Sequence, residues 1–358
     1  MPGEGPEQSK AAPAGRGLAR VTIRDVAEMA GVSVTTASRA LNDTGRMTEA
    51  TREKVRAAAD QLGYRPNSMA RGLVSRRSFT LGLLTNDSYG RFTLPIAAGL
   101  SSGMVDRGVS VFLCAGEKDA ERTRLDLQAM EEKCVDGLIV AGKRIDRGLP
   151  IDIPHQRVPV IYVNSACPPG AVGFVPDDIG GARAAVAHLV AVGRQRIAHI
   201  TGPRQFAATA LRAQGWREIL EEHELAPFGE ALFGEWSEDF GYRTAQTMFD
   251  PDGPAERPDG IFCGNDQIAR GVIDGLTLLG LRVPDDISVV GFDNWEIFAK
   301  ATRPPLTTVD MGLFDLGQTA GQAMLDLIDG KPVEPGITRT PCRLVVRESS
   351  APPGHRPL

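Results

Sequence analysis

VTIRDVAEMAGVSVTTASRALN, residues 21–42, consists of two short helix-forming runs joined at a glycine. Thr22 with Asp25 three residues on makes a capping-box start, and Val26, Ala27 and Ala30 give the first run a narrow apolar stripe. Gly31 permits a tight turn. Ser33 then caps a second helix running to about Leu41, with Ala37 and Leu41 facing inward and Val34, Thr35, Ser38 and Arg39 facing outward. Outward side chains of this kind on a short second helix suit the major groove of DNA. The rival reading is a helical hairpin inside a larger core, and the shortness and polarity of the outer face argue against it.

Charge is distributed in a way that fits this reading. Residues 18–78 hold eleven Lys/Arg against six Asp/Glu, a net +5, which leaves −10 on the rest of a chain whose total is −5. A basic module on an acidic body confines phosphate neutralisation to one end. At 358 residues the chain accommodates two or three domains, and its 42% apolar and 24% charged content is that of a soluble globular protein. No segment approaches a membrane span. The Gly/Pro/Ala-rich residues 1–17 lack an apolar block and read as a disordered tail, so a secretory signal is not expected. The cysteines (114, 134, 167, 263 and 342) stand far apart without a CxxC pair, which predicts reduced thiols, mostly as small core residues, and no metal site.

A third helix is predicted from near Thr48 to Gly63, with Val55, Ala58, Ala59 and Leu62 packing on the first two. Pro66 breaks that pattern, and SMARGLVS at 68–75 is too brief to be stable as a helix by itself. From Phe79 onward, TLGLLT, VSVFLC, VDGLIVA, VPVIYVN, RIAHITG, DGIFCGN and DISVVGFD alternate with longer helical segments. Such uniformly apolar strands are buried on both faces, which predicts parallel sheets covered by helices. About 270 residues of this rhythm exceed one doubly wound unit, so two lobes with a cleft between them are expected.

The helix pair, the run YRPNSMARGL at 64–73 and the later GNDQIARG, DISVVGFDN and PPLTTV together resemble the lactose repressor (LacI) family of bacterial regulators over most of the chain. The resemblance implies a small all-α helix-turn-helix domain plus an α/β body of two doubly wound lobes of periplasmic-binding-protein type. The expected limits are a tail at 1–17, the DNA-binding domain at 18–65 and a hinge at 66–78. One lobe takes 79–176 plus 309–340, the other 177–308 plus 341–350, and a tail takes 351–358. Crossings between the lobes are therefore expected near Asp177, Val309 and Thr340. The family also implies DNA contacts from Thr22, Ser33, Asn42, Tyr64, Asn67 and Arg71 beside the groove-facing residues. It makes 68–75 a hinge helix whose Leu73 enters the minor groove; a plain interdomain linker is the alternative.

Ligands of open α/β sheets sit beyond the carboxyl ends of the strands. Asn164, Asn265, Asp266, Asp293 and Asn294 close apolar runs there, which suits a hydroxyl-rich ligand. Arg212 is read as starting a helix, offering its fork to a ligand and pairing with Asp293 when the cleft is empty. Trp236 offers a flat face for a sugar or a purine. By resemblance Asn164, Arg212, Trp236, Asn265 and Asp293 line the effector cleft, joined by Phe92 from YGRFTLP, which departs from the family's usual Asn-Pro-Phe-Phe. Asp310 and Met311 also depart, standing where basic and amide residues are common. Asp266 is read as the cap of a helix starting at Gln267, with Asn294 in a similar role, and Trp216 as core.

These features predict a cytoplasmic transcriptional regulator, a repressor, that binds a pseudo-palindromic operator in double-stranded DNA as a homodimer. A small effector, with a mono- or oligosaccharide favoured over a nucleoside, controls DNA affinity; no cofactor, metal or membrane is implied. The alternative is a sugar-binding protein or sugar-active enzyme on the same scaffold. Against an enzyme, no GxxxxGK[ST] loop occurs, and the histidines (155, 188, 199, 223 and 355) have no ligand or triad spacing. Against a carrier stands the helical module at 21–78.

Overall fold

The computed structural model describes residues 21–42, 44–64, 77–87, 89–116, 119–149, 153, 158–253 and 255–350, and the chain divides after Arg76 into two compact units. In the first unit, α1 (Ile23–Ala30) and α2 (Val34–Leu41) are joined at Gly31, whose φ of 62° is a left-handed conformation that glycine adopts without a Cβ penalty. The Val32 N–H returns to the Ala27 carbonyl at 3.0 Å and closes α1. α3 (Glu49–Gln61) begins after Thr48, whose hydroxyl accepts from the Thr51 N–H. Six alanines (27, 30, 37, 40, 58 and 59) with Val26 and Val55 form the core. Helices of 8, 8 and 13 residues are too short to persist alone, so burial of this common face holds them. Ala40, not Leu41, fills the inward position on α2; the bulkier Leu41 is half-buried at the rim.

The second unit contains two six-stranded sheets. The first is wholly parallel, in the order β11 (Gly336–Thr340), β5 (Val172–Pro176), β4 (Val160–Ser165), β3 (Gly137–Arg144), β1 (Thr80–Thr85), β2 (Ser110–Ala115). Its helices are α4 (Thr93–Met104), α5 (Ala120–Glu132) and α11 (Leu313–Ile328). The second runs β12 (Arg343–Val345), β10 (Thr307–Asp310), β9 (Ser288–Asp293), β8 (Gly260–Cys263), β6 (Ile197–Thr201), β7 (Leu232–Phe233), parallel except for the β10–β12 pair. It carries α6 (Asp178–Ala191), α7 (Ala207–Glu222), α8 (Glu238–Met248), α9 (Asp266–Leu278) and α10 (Glu296–Ala301).

The chain passes between the sheets three times, from β5 into α6, from β10 into α11 and from β11 into β12. Val309 lies within β10, opposite Phe292 and Leu344, and the second passage follows directly after that strand, at Met311 and Gly312. β2 departs from two-faced burial: it is a sheet edge, and Leu113 is 43% exposed. Of the cysteines only Cys263 is fully buried, and all five are free thiols. Trp216 is fully buried, its indole N–H donating to the Ile197 carbonyl at 3.2 Å.

Candidate functional site

Two surfaces collect the residues singled out in the sequence. On the helical unit, Val34, Thr35 and Arg39 are exposed on α2 and Ser38 is half-buried beside them. Val34 is 43% exposed although apolar, an open contact of the kind a thymine methyl takes. Three neighbours hold the surface in place. The Thr22 backbone N–H and hydroxyl both donate to Asp25 Oδ2, at 2.7 and 2.8 Å, which holds the Asp25 carboxyl below its usual range. The Ser33 hydroxyl accepts from the Thr36 N–H at 3.0 Å, and Asn42 Nδ2 donates to the Ser38 carbonyl at 2.8 Å. Tyr64 is half-buried against the three-helix core. Asn67, Arg71 and Leu73 lie outside the described residues.

In the second unit a cavity of about 360 Å³ opens at the carboxyl ends of both sheets. Phe92, Asn164, Arg212, Trp236, Asn265 and Asp293 all line it. The strand ends supply the polar groups because apolar residues continue each strand up to the point where the backbone leaves the sheet. Asn164, the penultimate residue of β4, donates to the Gly142 carbonyl at 3.0 Å. Asn265 follows β8 and is itself the cap of α9, accepting from the Ile268 N–H at 2.8 Å. Phe92 precedes α4. The Trp236 ring lies against Gly202, where a Cβ would come 2.1 Å from the indole, and meets Phe206 edge-on at 5.9 Å. Asn164 and Asp293 carry positive φ, 48° and 107°, so backbone strain is concentrated at this wall.

Arg212 does not begin a helix; it is the sixth residue of α7, and its principal partner is not Asp293. Its Nε donates to Asp178 Oδ1 at 2.7 Å and its Nη1 to the Gly264 carbonyl at 2.5 Å, with Asp293 Oδ1 farther off at 3.5 Å. Its guanidinium lies 3.7 Å over the Phe292 ring. Burial opposes its charge, but Asp178 and Asp293 hold it more firmly protonated than usual. Burial raises Asp178 above the ordinary carboxyl range despite the Arg212 charge. Asp293 is instead clamped by Arg91, a residue of the other lobe that also donates to Gln267 at 3.1 Å and stacks 4.7 Å from the Trp295 ring.

Among the described residues, two polar atoms in this wall are buried without a hydrogen-bond partner, Asp178 Oδ2 and Arg91 Nε. Neither residue stands out in the sequence: Asp178 reads as part of a lobe crossing and Arg91 as a loop residue, and their partners are 34 and 202 positions away. Two capping expectations also need correction. Asp266 is the first residue of α9, not its cap; its carboxylate bonds the Trp295 N–H at 2.7 Å and the Thr308 hydroxyl. Burial, with Asp293 nearby, pushes its pKa up to about 8. Asn294 caps nothing, since Trp295 occupies that position; its side chain ties Asp310 and Arg347 together at 2.8 Å each. Met311 lines the cavity, while Asp310 accepts from Asn294 and from the Gly312 N–H.

Across the same cavity, Arg144 at the end of β3 forms a two-pronged pair with Asp146, at 3.0 and 2.8 Å, and lies 3.6 Å over the Phe206 ring. Asp146 accepts from the Ala207 N–H at 3.1 Å, giving α7 a capping carboxylate from the opposite lobe. The described residues contain no cluster of potential metal ligands and no helix long and apolar enough to cross a membrane.

Residues 22–67 match the bacterial regulatory proteins, lacI family, and residues 186–350 match the periplasmic binding protein-like domain. The lactose operon repressor of Escherichia coli is 34% identical over 337 residues, covering 93% of this chain and 91% of its own. The ribose operon repressor of Halalkalibacterium halodurans is 33% identical, covering 92% and 97%. A crystal structure of the lac repressor dimer bound to operator and the anti-inducer ONPF superposes with a TM-score of 0.69 at 32% identity, covering 92% of this chain and 99% of that one. These relatives are named as repressors, not as enzymes. A helix-turn-helix unit followed by two parallel α/β lobes, at this identity over almost the whole length, places the chain in the LacI family of bacterial regulatory proteins.

Proposed function

We propose that the protein is a cytoplasmic, sequence-specific transcriptional repressor that binds a pseudo-palindromic operator as a homodimer, with DNA affinity set by a carbohydrate in the interlobe cavity. The observation that carries the effector reading is the pair of unpartnered buried atoms in the cavity wall. Asp178 Oδ2 can accept a hydrogen bond and Arg91 Nε can donate one, and each is costly to leave unmet. Hydroxyl groups meet both needs, and Trp236 and Phe92 offer apolar faces beside them. The names of the relatives fit, since two are repressors of the ribose and lactose operons, and one solved relative is a dimer on its operator.

On the helical unit, Val34, Thr35, Ser38 and Arg39 read base edges, with Thr22, Ser33, Asn42, Tyr64, Asn67 and Arg71 holding the backbone and Leu73 in the minor groove. One small reader touches few bases, and two copies supply the missing affinity and symmetry. The division of the body into lobes near 177, 311 and 340 lets a ligand that favours one arrangement shift DNA affinity, provided its affinity for the two differs.

The test is selection of a binding site from random duplexes by the full chain, followed by titration of the selected duplex with sugars. A palindromic site and at least a tenfold change in its Kd with one sugar are expected. Selection without any enriched sequence would overturn the repressor reading, and turnover of a sugar without DNA binding would favour the enzyme.

A further inference from the structure

The charges lining the cavity do not balance. Among the described residues eight ionisable side chains line it, and six are matched: Arg91 with Asp293, Arg144 with Asp146, and Arg212 with Asp178. The remaining two, Lys143 and Arg147, make no side-chain hydrogen bond or ion pair with any described residue. Both are exposed on the first-lobe side of the opening. Their backbone is not free to drift. Lys143 is in β3, and the Arg147 carbonyl accepts from the Ser165 hydroxyl and the Ala166 N–H at the end of β4, both at 3.4 Å.

The result is a concave surface of formal charge +2 on a body whose sequence outside 18–78 carries −10. Against that background, two unmatched cations on one wall are a local reversal of sign, and a cleft focuses such a field. A neutral sugar is served by matched, buried groups such as Arg212 and Asp178; it gives an unpaired ammonium or guanidinium nothing better than water does. An anion gives a charge-assisted hydrogen bond, about twice as strong as a neutral one.

We infer that the effector is an anionic carbohydrate, a sugar phosphate or a sugar acid, whose charged group is held by Lys143 and Arg147 while its hydroxyls meet Asp178 Oδ2 and Arg91 Nε. This rests on the carbohydrate-effector reading above and narrows it. Phosphate and carboxylate share the chemistry that the two cations recognise, and Arg147 offers either of them a two-pronged fork.

The experiment is isothermal titration calorimetry on the full chain with matched ligands: ribose and glucose, their 5- and 6-phosphates, gluconate, glucuronate, and inorganic phosphate. One anionic sugar is expected to bind at least tenfold tighter than its neutral parent, with the phosphates and acids separating the two sources. The Lys143→Gln/Arg147→Gln double variant, with an unaltered circular dichroism spectrum, is expected to bring that ratio close to one, and Lys143→Glu to lower it too. Neutral sugars binding as tightly as their charged counterparts would overturn the inference and leave the effector reading standing. Retention of the preference in the double variant would overturn the assignment to these residues. Inorganic phosphate binding as tightly as a sugar phosphate would reduce the site to an adventitious anion site. Absence of binding by every sugar would overturn both readings.

Discussion

Under the proposed function, Arg212 serves binding and stability at once. Its guanidinium neutralises Asp178 inside the protein, so removing it leaves an uncompensated buried carboxylate, which costs about 3–5 kcal/mol. Arg212→Ala is therefore expected to lower the denaturation midpoint strongly as well as to remove the sugar response. Loss of the response with an unchanged midpoint in urea would show that the ion pair carries no stability. His199 makes a separate prediction about pH. It is fully buried between Trp216 and Phe262, its Nδ1 bonds the Phe262 carbonyl at 2.9 Å, and burial pulls its pKa from 6.5 down to about 3. The unfolded chain takes up this proton first, so the stability His199 confers is present above about pH 6.5 and is lost as pH falls toward 3. Asp266 works in the opposite sense, its raised pKa favouring the fold at low pH, so the comparison must be made within one background. Between pH 7 and 4.5 the melting temperature of His199→Phe should fall less than that of the unaltered chain; parallel curves would refute the assignment. The sequence shows Asn164, Asn265 and Asp293 because polar residues ending apolar strands are a local pattern. Asp178 and Arg91 are hidden from it because their importance lies in partners distant along the chain, which spacing does not encode.

At the scale of elements, two helix pairs are held by glycines that bring backbones into contact. In the α8–α9 pair, a Cβ on Gly271 would lie 1.9 Å from the Glu238 carbonyl oxygen and 2.9 Å from the Tyr242 nitrogen, both backbone atoms that cannot rotate away. In the α4–α11 pair, Gly99 meets the Phe314 carbonyl at 2.0 Å in the same way. Gly103, on α4, has nothing within 4 Å of its Cβ position. Gly271→Ala is thus expected to cost about 3 kcal/mol by overpacking, whereas Gly103→Ala should stabilise by roughly 0.5–1 kcal/mol by restricting the unfolded chain. Chemical denaturation of both variants checks the pair, and equal effects would mean that the close approach is not a constraint. The long apolar strands and the three N-terminal helices are legible because their periodicity is local. β7, β12 and the polar, exposed β11 are not, since two to five residues hold no period and their pairing is decided by strands elsewhere. The same limit hides the cap of α7: Phe206 offers no side-chain cap, and the carboxylate that serves instead is Asp146, 61 residues earlier and in the other lobe.

For the whole molecule, the division of charge separates what holds DNA from what decides when it is held. The +5 of residues 18–78 is set against −10 elsewhere, so attraction to phosphate is expected from the N-terminal segment and not from the rest of the chain. Each phosphate neutralised releases counterions; if the dimer makes 6–10 phosphate contacts, affinity should fall about 10³- to 10⁵-fold between 50 and 200 mM salt. That electrostatic term is common to operator and random DNA. The effector acts through the lobes, whose cavity-lining residues begin at Arg91, well beyond Val34 and Arg39 in sequence, and adds no charge to the helical unit. Its binding should therefore change the ratio of operator to random-sequence affinity while leaving the salt slope of random-sequence binding where it was. Fluorescence anisotropy with both duplexes, across the salt range and with and without saturating effector, measures the four quantities needed. A proportional change in both affinities would mean that the effector acts on the phosphate contacts themselves, and the separation of reader from switch would fail.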